Sequence, residues 1–389
     1  MGWTHIGYAQ EIRFGAGCVG EAPRILDALR ASRALLVTTR RGRESAAGRR
    51  LAQALGPRLI ATFDGGRPHV PQEVARRAFE QARAERVDAV VSLGGGACSD
   101  LGKAVCWFAE AELDAARGRD AAIGQDAARG QDARPAPARS CFDRPALAHL
   151  AVPTTYSGAE VTPFFGMLDE AARRKSGAGG PTIAPAGVIY DPELTLDLPP
   201  RTSAETGLNA LAHCVEAAWS PVRTPEAEAI AYSGAARIFH ALPRVVEHPH
   251  DLEARTDLLA GAVLAGRALQ NASMGVHHGL AQMVGARTGI AHGLANALIL
   301  AHAVRFNQDA VPEVSARLAM LFGRRDRDAA AALDDLRARI GLPAHLAECG
   351  VGRDDIEAVA VMSVANATVA KNPKKVGEAD ARAILQAAY

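Results

Sequence analysis

The chain changes character at Leu198-Pro199-Pro200, and this break constrains its fold more than any other feature. Before it, short apolar runs alternate with longer amphipathic segments. Ala34–Thr38, Leu59–Phe63, Ala89–Leu93 and Leu147–Val152 have the length and apolar content of buried parallel strands, and Gly187–Leu194 reads as a strand leading into a turn. Helical spacing fills 21–31, 43–55, 71–86 and 99–110, with Pro23 and Pro71 at favoured first-turn positions. After the break, strand-like runs nearly vanish. The segments 203–219, 225–240, 251–270, 275–286, 291–304, 311–323, 327–339 and 353–370 all read as helices. The expectation is an α/β domain over 1–198 and an all-helical domain over 199–389, with the active cleft between them.

One stretch fits neither pattern. Within 114–139, Gly118-Arg-Asp-Ala-Ala, Gly124-Gln-Asp-Ala-Ala-Arg and Gly130-Gln-Asp-Ala-Arg repeat with a six-residue period. With almost no large apolar side chains, such a segment cannot bury enough surface to order itself. It reads as an expanded surface insert whose removal, over 115–138, leaves folding and activity intact.

Size and charge exclude several classes of function. At 389 residues the chain can build two full cores. Its 44 Lys+Arg balance 43 Asp+Glu, so it carries no electrostatic footprint for nucleic acid or an anionic membrane surface. No uninterrupted apolar run is long enough for a membrane span, and the first residues lack a basic segment followed by an apolar core. The six cysteines are scattered without a Cys-x-x-Cys, which reads as reduced thiols of a cytoplasmic protein.

Two turns in the first half invite a ligand. The run 89–93 leads directly into Gly94-Gly95-Gly96, with a helix following. Glycines let a ligand approach the backbone, and the free N–H groups and dipole of a helix start favour a phosphate. The alternative is an ordinary tight turn, since the spacing is not that of the dinucleotide fingerprint. Thr154-Thr155-Tyr156-Ser157, after the run 147–152, offers hydroxyls and N–H groups at what would be the same sheet edge. Two such turns together form a dinucleotide cleft.

The second half supplies polar groups in an Ala/Leu-rich setting. Asn209 and His213 stand at i and i+4 on one helix face. His278 and His292 are fourteen residues apart. On one continuous helix they would be about 21 Å apart, so a turn around Gly285–Gly289 is needed to aim both into one site. His277, beside His278, faces about 100° away on a helix.

Several segments together carry a resemblance. Phe14-Gly-Ala-Gly, Asp88-Ala-Val-Val-Ser-Leu-Gly-Gly-Gly, Val152-Pro-Thr-Thr-Tyr-Ser-Gly-Ala-Glu-Val-Thr, Tyr190-Asp-Pro-Glu-Leu-Thr, Gly207-Leu-Asn-Ala-Leu-Ala-His-Cys-Val-Glu and Ile290-Ala-His-Gly resemble the iron-containing alcohol dehydrogenase superfamily, in its order along the chain. Ala291 stands where many relatives carry proline. Arg67-Pro-His-Val-Pro71, Tyr156 and Asn372-Pro-Lys-Lys-Val are similar to the maleylacetate reductases within it. The resemblance implies a dehydroquinate synthase-like fold and a nicotinamide cofactor, NADH or NADPH, on the α/β domain. It also implies a small-molecule substrate facing the helical domain, and a homodimer.

Gly94, Gly95, Gly96, Ala97, Thr154 and Thr155 match the family's cofactor-binding turns. Ala97 replaces the usual serine there, as Ala159 does before Glu160. Lys175 matches a basic position near the cofactor, or is one of three exposed bases in Arg173-Arg-Lys. Thr38 and Thr39, followed by Arg40 and Arg41, stand where relatives strict for NAD often carry an aspartate. With no carboxylate there to repel a 2′-phosphate, NADPH is expected to be accepted.

Metal-dependent relatives hold iron or zinc with one aspartate and three histidines. His213, His278 and His292 match the histidine positions, and Asn209 occupies the aspartate position. A neutral amide adds no charge to a divalent site, so metal-free catalysis is expected, with a metal-dependent alcohol dehydrogenase as the alternative. The expected reaction is hydride addition to the alkene of maleylacetate. Asn209, His213, His278 and His292 stabilise charge on the ketone oxygen, and one histidine supplies the proton. Gln282 stands where relatives usually carry a further histidine, and it cannot act as an acid. It favours a second alternative, a cofactor-binding relative without turnover.

Overall fold

The computed structural model describes residues 2–116, 140, 143–170 and 174–389. The chain divides into two compact units. One contains Ile6–Thr155 and Ala159–Thr195; the other contains Met1–His5, Tyr156–Gly158 and Leu196–Tyr389. Among the described residues no helix is long and apolar enough to cross a membrane.

The first unit is built on a six-stranded parallel sheet. Its strands are β1 (Glu11–Phe14), β2 (Ala34–Val37), β3 (Leu59–Phe63), β4 (Ala89–Gly94), β5 (Ala148–Pro153) and β8 (Gly187–Tyr190). They lie in the order β1-β8-β5-β4-β2-β3. Strands β2 and β8 are buried at every position, as a sheet covered on both faces requires. One face packs against α1 (Ala22–Ala28) and α3 (Ala46–Leu55), through Ile25, Leu26, Leu51 and Leu55. The other packs against α4 (Gln72–Ala84) and α5 (Gly96–Ala116), through Val74, Ala78, Leu101 and Val105.

Several local readings need correction. The helix expected over 43–55 is two helices, α2 (Arg40–Glu44) and α3, because Ser45 is extended and its hydroxyl accepts from Gly48 N–H as an N-cap. Helix α5 begins at Gly96 and continues to Ala116, beyond the expected 99–110 and into the low-complexity segment. The rest of that segment, 117–139, lies outside the described residues. Strand β1 was not expected, nor was the antiparallel hairpin of β6 (Phe164–Asp169) and β7 (Arg174–Gly179). Both carry charged or glycine residues that dilute an apolar pattern.

The second unit is helical. It contains α6 (Pro200–Trp219), α7 (Pro225–Glu247), α8 (Leu252–Gln270), α9 (Val276–Thr288), α10 (His292–Asn307), α11 (Pro312–Leu321), α12 (Ala329–Arg339), α13 (Arg353–Ser363) and α14 (Glu378–Ala388). Side-chain caps at Thr224 and Asp251 start α7 and α8. Gly289, at φ 77°, ends α9 in the left-handed region before α10 begins. The helix expected over 353–370 stops at Ser363, and α14 was not anticipated.

This unit does not start at residue 199. It begins at Leu196 and includes Tyr156–Gly158 and the N-terminal residues. The reason is polar anchoring. The buried Arg255 guanidinium donates to Tyr156 Oη at 2.9 Å, to Pro249 O at 2.6 Å and to Leu198 O at 3.0 Å. His5 Nδ1 meets Thr224 Oγ1 at 3.2 Å.

Candidate active site

Three helices of the helical unit assemble a polar cluster. Asn209, His213 and Glu216 on α6 are spaced by four and three residues and share a face. His277 and His278 open α9, while His292 and Asn296 occupy the first turns of α10. The His213 and His278 rings stack with centroids 4.6 Å apart, and the His278 and His292 centroids are 6.1 Å apart. The structure therefore brings Asn209, His213, His278 and His292 into one locality. All but the half-buried His292 are buried.

A chain of hydrogen bonds orients these groups. Asn209 Nδ2 donates to the Ser157 carbonyl at 3.4 Å. That contact points Asn209 Oδ1 at Asn296 Nδ2, 2.6 Å away. The same Nδ2 lies 3.1 Å from His292 Nε2. An amide nitrogen can only donate, so His292 Nε2 is the acceptor here and its lone pair is engaged. Swapping oxygen and nitrogen in Asn209 would set two oxygens against each other at Ser157.

Glu216 is the buried charge of the cluster. Its Oε1 accepts from Gly275 N–H at 3.0 Å and His277 N–H at 3.1 Å. Its Oε2 lies 2.5 Å from His278 Nδ1. Burial alone would raise its carboxyl, but the neighbouring His277 and His278 imidazoles hold it well below the usual carboxylate range. The N-terminal dipole of α9 acts in the same direction. Burial, and then the charge of His278, lowers His213 well below the ordinary histidine value. Burial also lowers His278, with Glu216 opposing. At neutral pH the stacked imidazoles are therefore neutral. His213 Nδ1 and His278 Nε2 are buried without a hydrogen-bond partner among the described residues.

The sheet unit carries the predicted cofactor turns. Gly94 pairs with Pro153 across β4 and β5, and Thr154 N–H donates to Gly94 O at 2.9 Å, so the glycine and threonine turns leave the sheet side by side. Gly94 has φ 139°, and Gly95 abuts Thr155, whose Cγ2 would be 3.1 Å from an added Cβ. Gly96 and Ala97 head α5, where first-turn amides have no intrahelical acceptor. Thr155 Oγ1 is buried and unpartnered among the described residues.

Thr38 and Thr39 serve structural contacts. Thr38 Oγ1 donates to Leu93 O at 2.8 Å, and Thr39 Oγ1 caps α2 through Gly42 N–H at 2.9 Å. A carboxylate does stand close by: Glu44 pairs with Arg40 at 3.3 Å and with Arg43 at 3.1 Å. Lys175 pairs with Leu168 in the β6–β7 hairpin, and its side chain lies outside the described residues.

Comparison with known proteins decides the family. Residues 9–192 match the family model for iron-containing alcohol dehydrogenase, and residues 203–389 match that for the Fe-containing alcohol dehydrogenase family, C-terminal. The chain belongs to the iron-containing alcohol dehydrogenase family. It is 37% identical to a maleylacetate reductase of a Rhizobium species over 97% of this chain and 95% of the relative. A Burkholderia cepacia maleylacetate reductase is 34% identical over 97% of this chain and 94% of that one. The crystal structure of maleylacetate reductase from Agrobacterium tumefaciens aligns with TM-score 0.84 and 33% identity, covering 100% of this chain and 98% of that one. A sulfoacetaldehyde reductase from Bifidobacterium kashiwanohense in complex with NAD+ aligns with TM-score 0.86 and 26% identity, covering 99% and 98%. The chain is an oxidoreductase of this family that uses a nicotinamide cofactor. The paired turns, with an orphaned Thr155 hydroxyl and a helix start, suit such a cofactor.

The family name raises iron, and the cluster does not suit it. Asn209 Oδ1 and His292 Nε2, two of the four matching donors, both face the same Asn296 amide nitrogen. Neither is anionic, and a divalent ion prefers at least some charge compensation or a full set of open lone pairs. Glu216, His277 and His278 also bring donor atoms within 4.8 Å of one another. There the Glu216 oxygens are already taken by backbone N–H groups and His278.

Sequence reasoning missed Glu216, His277 and Asn296 as members of the cluster. Spacing carried a signal for two of them: Glu216 follows Asn209 by seven residues and Asn296 follows His292 by four. His277 points away from His278 along the helix wheel, yet meets it through Nδ1 at 3.2 Å because both rings fold toward one carboxylate.

Proposed function

We propose that this enzyme reduces the conjugated carbon–carbon double bond of maleylacetate to 3-oxoadipate, using NADH or NADPH, in the breakdown of aromatic compounds. The observation that carries this reading is the buried pair of unpartnered imidazole nitrogens, His278 Nε2 and His213 Nδ1, beside an oriented amide. Imidazole nitrogens left uncommitted in this way can carry a proton to a substrate that gains charge only during reaction. The maleylacetate reductase names of full-length relatives support the substrate. Bound reduced nicotinamide supplies the hydride. Asn209, His213, His278 and His292 hold the ketone and meet the charge that gathers on its oxygen, and a histidine returns the proton to carbon. Catalysis proceeds without a metal ion. Cofactor contacts fall to Thr38, Thr39, Gly94, Gly95, Gly96, Ala97, Thr154, Thr155 and Lys175. Exposed Arg40 and Arg41 leave room for a 2′-phosphate, with Glu44 already paired to Arg40. We further read the enzyme as a cytoplasmic homodimer.

The test is oxidation of NADH and of NADPH by maleylacetate, with and without EDTA. Turnover with both cofactors, undiminished by chelator, is expected, with substoichiometric metal by elemental analysis. Loss of activity in EDTA and recovery with zinc or iron would overturn the metal-free reading. No oxidation of either cofactor would overturn the substrate.

A further inference from the structure

We infer that Glu216 is the positioning residue that makes His278 the proton donor, holding the ring's own proton on Nδ1 and leaving Nε2 to exchange a proton with the substrate. The inference rests on the reductase reading, but its structural half can be measured separately.

Two acceptors fix that proton. Glu216 Oε2 lies 2.5 Å from His278 Nδ1. His277 Nδ1 lies 3.2 Å from the same atom. His277 Nε2 is 2.9 Å from the main-chain carbonyl of Asn296, which only accepts, so His277 carries its proton on Nε2 and presents a lone pair at Nδ1. Both neighbours of His278 Nδ1 therefore require a donor there. Its Nε2 is then a bare lone pair, buried and without a partner among the described residues. A carboxylate behind one imidazole nitrogen fixes the tautomer and stabilises the imidazolium formed when the other nitrogen takes a proton.

His213 and His292 are less suited. His213 has no carboxylate or other acceptor at Nδ1 among the described residues to fix its tautomer, and His292 Nε2 already receives the Asn296 amide. Gln282, half-buried one turn beyond His278, cannot supply a proton. Glu216 itself is anchored by Gly275 and His277 N–H groups, and Gly275 lets it come close: an added Cβ would sit 3.2 Å from Glu216 Oε1 and 2.8 Å from Asn372 Oδ1.

The step balances. For each turnover the bare Nε2 first takes one proton from solvent, which makes His278 an imidazolium facing the ionised Glu216. After hydride has reached the alkene, the enolate α-carbon takes the Nε2 proton. The N–H electron pair returns to Nε2, a C–H bond forms, the ketone is restored, and Glu216 stays ionised throughout.

Nitrogen NMR of protein labelled with 15N-histidine reads the tautomer, with the His278 signals assigned by their loss in His278→Gln. The wild-type protein is expected to show a protonated Nδ1 and a bare Nε2. Glu216→Gln keeps the length and one oxygen for Gly275 and His277. It presents an NH2 to His278 Nδ1, which moves the ring proton to Nε2. Its kcat is expected to fall at least about 100-fold, the scale of lost general acid catalysis, with KM and cofactor affinity unchanged. A wild-type His278 protonated at Nε2, or a Glu216→Gln enzyme with unchanged kcat, overturns the inference. If that variant fails to fold, the wild-type spectrum alone decides. Should maleylacetate not be reduced, the spectrum still stands, and kcat is read on whichever unsaturated ketone or aldehyde turns over.

Discussion

At the scale of single residues, the direction of one amide organises the cluster. Ser157 O accepts from Asn209, Asn209 accepts from Asn296, and Asn296 also donates to His292, so Asn296 is the donor from which the chain runs both ways. Asn296→Ala removes the shared donor, while its main-chain carbonyl still accepts from His277. Asn209 Oδ1 and His292 Nε2 are left without their donor. We expect a loss of about 1–3 kcal/mol in urea unfolding, the scale of an unsatisfied buried polar group, together with a lower kcat. An unchanged urea midpoint and unchanged kcat would remove Asn296 from the orienting role. The groups that sequence made legible here, Asn209, His213, His278 and His292, sit in helical spacing within recognisable motifs. Glu216 and His277 were hidden for a physical reason. A glutamate near a helix end ordinarily reads as solvated, and only the docking of the α9 N-terminus on α6 makes this one a buried counter-charge.

At the scale of elements, the glycine turn after β4 is where local conformation and ligand chemistry meet. Gly94 has φ 139°, a backbone that L side chains rarely adopt, and an added Cβ would lie 2.6 Å from Cys98 Sγ. Gly94→Ala is expected to cost about 1–3 kcal/mol in urea unfolding, the scale of such strain, and to weaken NADPH binding by displacing the α5 N-terminus. Fluorescence titration with NADPH and urea melts check this; a variant as stable and as tight-binding as the parent would show that the turn tolerates a side chain. The strand and helix on either side of this turn were legible because their apolar periods are clean. The elements that were not, β1 and the β6–β7 hairpin, are stretches such as Glu11-Ile-Arg-Phe14 that owe their strand conformation to a partner strand rather than to their own pattern. The interruption at Ser45 was likewise invisible as periodicity, since a capped break keeps helical residues on both sides.

For the whole molecule, buried histidines tie stability to pH. His149, on β5 with Nε2 2.9 Å from Ser92 Oγ, is pushed down to about 3, first by burial and then by the charge of Lys103. Burial lowers His213 and His278 as well. Each is held below its unfolded value, so between the two values the unfolded chain binds a proton that the folded chain refuses. Stability then rises with pH, and it is lost as pH falls. For His149 the window opens near the ordinary value of 6.5 and closes near its folded value of about 3. At pH 5 the unfolded chain gains about 1.5 pH units of protonation free energy at this site, or about 2 kcal/mol. His213 and His278 act in the same direction. Glu216 does not oppose them: its carboxyl is held low in the folded state, so its own contribution is kept above the ordinary carboxylate value and fades only at lower pH. Urea midpoints should therefore be level between pH 8 and 7 and fall clearly by pH 5. A midpoint that stays constant from pH 7 to pH 5 would mean that these imidazoles reach water and protonate in the native state, and the closed, neutral cluster would have to be abandoned.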